Sequence, residues 1–503
     1  MSESCGSPSV QTDALMDRRP KFDKSKMCVR CKVNTGNIVI RHAVYCKECF
    51  PTMLATKVKR SLDPHINETP YVPRRKALKA SGNLLVGFSG GLGSTVVLDL
   101  ISRIYFPNSE KKKVDENQRG GKSHPRNKLV WSKAAACYVE VCSAFPSMKD
   151  RTEEVRQVVE TYDLFEFIPI RLENAFDKQW WEAVNSGTVE DLGVDFMNEG
   201  VLTLFLSKFD ETMDPVQRLR SYISTLPTQT AIHSAVQTLV RLLLLHTAQT
   251  TASSHLILGT NLTSLSISLI SSISQGGGFS VREESYEEWS SAEPGSGAPW
   301  VVRINKPLQD IGLKECAVWA WWNDLKVVGR DKFPGGKQGI GALTRDFIVG
   351  LEKDYPSTVS AIARTCSKLA PKFAADGTCA LCERPLQRGV QEWKDRISIR
   401  LTSDVPPESP TPVMRSLTPH LCYSCHTTLT SRSSRSVAVS SVSPSPLPLW
   451  VQSQLNRRQS GAVDLGNESS VNAEVVRKDS EVWERRKVAP DEMRTAISDF
   501  LLE

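Results

Sequence analysis

The chain has 503 residues, 40% hydrophobic and 24% charged, the balance of a folded chain of two or three domains rather than a disordered one. No apolar run reaches the ~18 residues that a membrane-spanning helix needs, and the polar start, with Glu3, Asp13 and Asp17, does not read as a secretion signal, so a cytosolic or nuclear protein is expected. The formal charge of +7 is unevenly spread: residues 18–80 carry 16 Lys+Arg against 4 Asp+Glu, which leaves the remainder net acidic and puts an electrostatic footprint for phosphates near the N-terminus.

In chain order, residues 1–26 read as a polar, disordered leader. Cys28-Val29-Arg30-Cys31 and Cys46-Lys47-Glu48-Cys49 follow, with 14 residues between the pairs. Two C-x-x-C pairs at this spacing predict a zinc ribbon over 27–56, each pair giving two thiolates to one tetrahedral ion. Ile38–Ile40 and Ala43–Tyr45 form its hairpin. A redox role would leave the pairing of the two motifs without a reason. Residues 57–80 read as a basic connector, and Arg30, Lys32, Arg41, Lys57, Lys59, Arg60, Arg74, Arg75, Lys76 and Lys79 are the candidate nucleic-acid contacts. On charge alone, a solvated leader explains them equally well.

The apolar run Leu84-Leu85-Val86-Gly87-Phe88 enters Ser89-Gly90-Gly91-Leu92-Gly93-Ser94-Thr95, and an apolar-periodic segment leaves it toward Tyr105. Strand, glycine turn and helix start are the ingredients of a phosphate site, because free N–H groups at a helix N-terminus face the loop. The Walker and dinucleotide glycine patterns both fail here. The loop instead resembles the PP-loop S-G-G-x-D-S of ATP pyrophosphatases, except that Gly93 stands at the acidic position. Ser89, Gly90, Gly91, Gly93, Ser94 and Thr95 are therefore the candidate nucleotide-binding residues, and Gly93 counts against ATP. An ordinary glycine turn between strand and helix is the bland alternative.

Residues 107–128 read as a surface insertion. Strands are expected at about 129–141 and 166–171, with a helix at 149–162 between them. Further helices are expected at 175–184, 216–224 and 230–250. His255–Asn261 repeats the strand-to-loop pattern and leads into a helix over 262–273. After Gly276–Gly278 comes an acidic loop (Glu283, Glu284, Glu287, Glu288), then a strand at 300–304 and a helix at 310–325. This alternation predicts an α/β domain over 81–345 with a doubly wound parallel sheet, whose ligands lie beyond the strands' carboxyl ends.

A helical segment and a second metal module are expected over 346–426. Cys379-Ala380-Leu381-Cys382 and Cys422-Tyr423-Ser424-Cys425 stand 39 residues apart, with Thr402–Thr418 as an extruded loop and His426 as a candidate fifth ligand. Residues 427–503 read as a Ser-rich tail with a short helix over 491–502. Cys137, Cys142, Cys316 and Cys366 lie on strand or helix patterns and read as small buried hydrophobes.

Zinc ribbon, PP-loop domain and C-terminal Cys pairs, together with Leu242–Ala248 and Leu258-Gly259-Thr260-Asn261, are similar to the layout of the wobble-uridine tRNA 2-thiolation proteins, over about residues 28–426. The resemblance implies an adenine nucleotide alpha hydrolase-like PP-loop fold flanked by two structural zinc sites. It also implies a cytoplasmic heterodimer with a sister PP-loop subunit, acting on the tRNAs for Lys, Glu and Gln. In that family ATP activates the uracil C2 oxygen as a leaving group, and sulfur comes from a thiocarboxylated ubiquitin-related modifier, the agent also of protein urmylation. The catalytic sister carries a central C-x-x-C, whereas Arg220–Leu245 here has no Cys. The expectation is therefore a tRNA-binding, non-catalytic subunit with no catalytic residues of its own. Two alternatives stay open: an ATP-dependent adenylating sulfurtransferase in its own right, and a zinc-ribbon nucleic-acid adaptor unrelated to thiolation.

Overall fold

The computed structural model describes residues 26–41, 43–67, 78–106, 129–185, 191–196, 202–206, 213–291, 300–329, 339–369, 371, 374–390, 416–431 and 444–456. The chain divides into two units, Met1–Ser453 and Gln454–Glu503, and of the second only 454–456 are described. Residues 1–25 of the leader expected over 1–26, the insertion 107–128 and the helix expected over 491–502 lie outside the described residues.

The N-terminal hairpin pairs β1 (Ile38–Ile40) with β2 (Ala43–Tyr45), antiparallel, through Val39 opposite Val44. It leads into α1 (Cys49–Ile66), and the reading of 57–80 as a connector is corrected over 57–66, while 68–77 lie outside the described residues. Phe50, Leu54, Val58, Leu62 and Ile66 recur every fourth residue and are each fully buried, the stripe of a helix packed on a core. Burying each is worth on the order of 2 kcal/mol. The abundance of Lys and Arg on the other faces hid that stripe.

The central sheet contains β3 (Asn83–Gly87), β4 (Ala134–Glu140), β5 (Phe165–Arg171), β8 (Ser253–Leu258), β9 (Glu287–Ser291) and β10 (Trp300–Asn305). Their order is β5-β4-β3-β8-β10-β9. All neighbours are parallel except β9, which runs antiparallel on the edge with Trp289 opposite Val302. Leu84–Val86 and Ala134–Ala136 are buried on both faces, as parallel sheets require. The acidic loop expected at 283–288 is thus a 3₁₀ segment, Gly277–Glu284, followed by an edge strand. Glu284 and Glu287 are buried acceptors for cations on other elements.

Helices cover the sheet: α2 (Leu92–Tyr105), α3 (Thr152–Val159), α6 (Gln229–Thr250), α7 (Leu262–Ser274) and α8 (Leu313–Trp322). The helix expected at 175–184 is interrupted at Asp177, whose side chain accepts from the Gln179 N–H and starts α4 (Lys178–Val184) afresh. Residues 215–225 form α5 (Pro215–Thr225). The helical segment after residue 339, α9 (Ile340–Asp354) and α10 (Pro356–Cys366), is no separate module: Ile348, Val359 and Ala363 share a core with Leu262, Leu265 and Leu269 of α7.

A second sheet, absent from the sequence reading, joins β6 (Leu192–Asp195) and β7 (Thr203–Leu206) to β11 (Ser445–Pro446). It corrects the reading of everything after residue 426 as tail. Tyr423–Thr430 is a helix, α11. Leu447, Leu449, Trp450 and Val451 are buried, and Trp450 Nε1 donates to the Leu381 carbonyl at 3.0 Å. The surrounding serines and prolines masked a short apolar cluster.

Candidate phosphate loop and metal centres

In chain order β3 is followed to one side by β4 and β5, while β8 and β10 lie on its other side. The sheet's switch point therefore falls between β3 and β8, and the loops leaving both strands meet there. Gly90 takes a left-handed φ of 69°, which glycine adopts without strain, and Gly91 caps α2. Thr95 Oγ1 and Ser94 Oγ donate to the Gly91 carbonyl at 3.0 and 2.9 Å, and the Ser89 and Ser94 hydroxyls lie 3.2 Å apart. All six candidate loop residues are thus brought together. The first N–H groups of α2, having no helical acceptor, face the loop.

Two features narrow this loop. A Cβ added at Gly93 would lie 2.1 Å from the Gly259 carbonyl oxygen, and one added at Gly259 would lie 2.4 Å from the Ser94 nitrogen. The first turn of α2 and the β8 loop are interlocked glycine on glycine, so position 93 has no space for any side chain, an acidic one included. The chain after α8 also folds over the loop: the Gly329 N–H donates to the Gly90 carbonyl at 3.0 Å, Arg151 holds the Val328 carbonyl at 3.1 Å, and Val328 lies against Gly90. Nothing in the composition of 325–329 marks this strap.

Each set of four expected metal-ligating cysteines converges: Cys28, Cys31, Cys46 and Cys49 in one group, Cys379, Cys382, Cys422 and Cys425 in the other, with sulfurs within 4.8 Å of one another. Both first knuckles are built alike. The Lys32 N–H reaches the Cys28 carbonyl and the Glu383 N–H the Cys379 carbonyl, each at 2.8 Å, and Lys32 and Glu383 both have φ of 55°. Both second knuckles close with an N–H to a sulfur at 3.4 Å, Cys49 to Cys46 and Cys425 to Cys422. Four thiols around one point fit a tetrahedral ion held by thiolates alone.

Their acidities agree with crowding. Burial pushes the Cys28 thiol up, but N–H groups of Cys31, Cys46 and Arg30 bring it down to about 6. Burial likewise opposes Cys379, yet hydrogen bonds from the other three cysteines hold it well below the ordinary thiol. Cys422 and Cys425 are pushed up, first by hydrogen bonding to Cys379. One charge without a cation discourages the next, and a divalent ion would allow all four. His426 is not in the group: its ring contacts the Thr430 hydroxyl at 3.2 Å. The 391–415 part of the intervening loop lies outside the described residues.

Among the described residues, the remaining cysteines lie apart from both centres. Cys137, Cys316 and Cys366 are buried, and burial pushes Cys137 up to about 12; Cys142 is only partly buried.

The candidate nucleic-acid contacts do not behave alike. Lys57 is committed to Glu315 at 2.8 Å, and Arg41 donates to Ser360 Oγ at 3.0 Å. Arg30, Lys32, Lys59, Arg60 and Lys79 are exposed, whereas Arg74, Arg75 and Lys76 lie outside the described residues.

The sheet order and the glycine loop define the chain as an α/β protein with a PP-loop-like turn at the sheet's switch point, carrying two four-cysteine groups able to hold metal ions. The model of the family described as Cytoplasmic tRNA 2-thiolation protein 2 matches residues 339–427. Proteins of that name from Xenopus tropicalis and Yarrowia lipolytica are 25% identical over 426 residues (77% of this chain, 78% of theirs) and 22% identical over 367 residues (71% and 79%). The chain is thus similar to cytoplasmic tRNA 2-thiolation protein 2 sequences over most of its length. Among solved structures, the U34-tRNA thiolase NcsA of Methanococcus maripaludis with its [4Fe-4S] cluster is 17% identical, covering 75% of this chain and 98% of that one at a TM-score of 0.45.

Proposed function

We propose that the chain is a cytoplasmic subunit of the machinery that 2-thiolates wobble uridine in the tRNAs for Lys, Glu and Gln, serving as the tRNA-binding, non-catalytic partner of a sister PP-loop thiolase. The sulfur comes from a thiocarboxylated ubiquitin-related modifier, delivered to the sister. The observation that carries the non-catalytic half is the interlock of Gly93 and Gly259, which leaves no room for an acidic side chain at the phosphate loop. Without that carboxylate the loop lacks a group to help arrange metal and phosphate. Zinc is the ion we assign to both four-cysteine groups, because four thiolates in a closed tetrahedral set suit a structural zinc centre. The exposed cations Arg30, Lys32, Lys59, Arg60 and Lys79 hold tRNA by its phosphates, which positions it without reading its sequence.

Deletion of the gene, with tRNA 2-thiouridine measured in parallel with ATP–pyrophosphate exchange by the purified chain, tests both halves. Loss of thiouridine with no exchange by the chain alone is expected. Undiminished thiouridine overturns the thiolation reading, and robust exchange by the chain alone overturns the non-catalytic one.

A further inference from the structure

A cavity of about 820 Å³ opens between α1, β10, the 3₁₀ segment and α10, and none of its lining residues belongs to the phosphate loop or to either cysteine group. Four cations line it, Arg282, Arg303, Lys306 and Arg364, against two acids, Glu288 and Asp310. Glu288 is already answered by Arg303 at 3.1 Å, and Lys306 is anchored by Glu284 at 4.0 Å. That leaves Arg282 and Arg364, both exposed, against the single carboxylate of Asp310, a surplus of one positive charge.

At the carboxyl end of β10, where open α/β sheets hold their ligands, Asn305 is 5% exposed and its Oδ1 lacks a hydrogen-bond partner. An acceptor buried without a donor costs about 1–3 kcal/mol, so a ligand that donates there is favoured. The wall beside it is aromatic: the His65 and Tyr286 rings lie 4.8 Å apart, tilted by 33°, and offer a ring face on which a base can stack.

We propose that this cavity is a nucleotide-binding site, in which Arg282 and Arg364 take the phosphate, the His65–Tyr286 pair takes the base, and Asn305 Oδ1 accepts from a base or ribose donor. The nucleotide comes either free or as one unit of a bound RNA. The inference stands apart from the thiolation reading, since it concerns no residue used there.

The test uses the full-length chain, with AMP and a 17-nucleotide anticodon stem-loop RNA as ligands, measured by calorimetry in the wild type, R282E, R364E and, as a control on α9, R345E. Each cavity variant is expected to weaken binding ~10-fold, the loss of one charge-assisted contact, while R345E leaves it unchanged and all variants melt with the wild type. Loss of AMP binding identifies a free nucleotide as occupant; loss confined to the RNA identifies a nucleotide within RNA. Absence of binding by both ligands overturns the proposal, as does binding that survives R282E and R364E but disappears in the phosphate-loop variant S89A.

Discussion

Position 93 of the phosphate loop is closed to side chains by the backbone of the loop after β8. In the sequence Gly93 marks a missing carboxylate; in the fold glycine is the only residue type that fits, with the Gly259 carbonyl 2.1 Å from where a Cβ would stand. Gly93→Ala and Gly259→Ala should each destabilise the chain by about 1–3 kcal/mol through overpacking, read as a lower urea midpoint at unchanged slope. Glu284 supports a pH prediction. Burial raises its carboxyl, but Arg384 and Lys306 outweigh that and bring it down to about 2 from an ordinary value of 4.5. The stabilisation is therefore complete above pH 4.5 and lost as pH falls toward 2. Glu284→Gln should cost ~3–5 kcal/mol at neutral pH and should flatten the stability decline across that acid window, followed by chemical denaturation at a series of pH values.

Among the elements, α1 departs furthest from its sequence reading. A basic surface and a fully buried stripe share one helix, and Phe50 closes it against Trp319 and Trp322 at ring distances of 6.3 and 5.3 Å. Leu54→Ala should cost about 2–5 kcal/mol, an effect a connector would not show, measured by thermal or urea unfolding. The cysteine modules are elements of the same kind, short segments whose shape depends on a shared centre. Cys28→Ser and Cys379→Ser should each release about one zinc per chain, since ligand loss and unfolding of the knuckle are coupled; metal content by mass spectrometry decides this. Strands β3 and β4 were legible because buried parallel strands are largely apolar, and β8 and β10 through the short apolar runs Leu256–Leu258 and Trp300–Val302. The edge strand β9 was not, because Glu287 is buried against Arg241 and so reads as a solvent-facing acid.

Over the whole molecule, the second four-cysteine group is tied into the fold by polar contacts from far in sequence. Arg241 of α6 donates to the Cys382 carbonyl at 2.8 Å, and Trp289 Nε1 of β9 donates to Glu383 at 2.6 Å. The first module is tied down similarly, through Lys314 to the Val39 carbonyl at 3.2 Å and Arg41 to Ser360. The hairpin beside the exposed cations is therefore held to the fold by contacts from far in sequence. Reversing Lys59 and Arg60 together should weaken tRNA binding and reduce the slope of log affinity against log salt by about 1–2, whereas reversing Lys57 should lower stability through the loss of its Glu315 partner. Filter binding across a salt series, alongside unfolding curves, separates the two effects.

Local pattern by itself determined the alternating α/β core, the phosphate-loop turn and both sets of cysteine ligands, because strand apolarity, glycine turns and C-x-x-C spacing are properties of neighbouring residues. Only the tertiary structure decided that the acidic position of the loop is closed by Gly259, that the helix after the first knuckle is core, that Glu284 and Glu287 are interior, and that residues 444–451 complete a second sheet. Each of these depends on which distant backbone or opposite charge arrives at the residue, and the distance in space between such partners is not written in their separation along the chain.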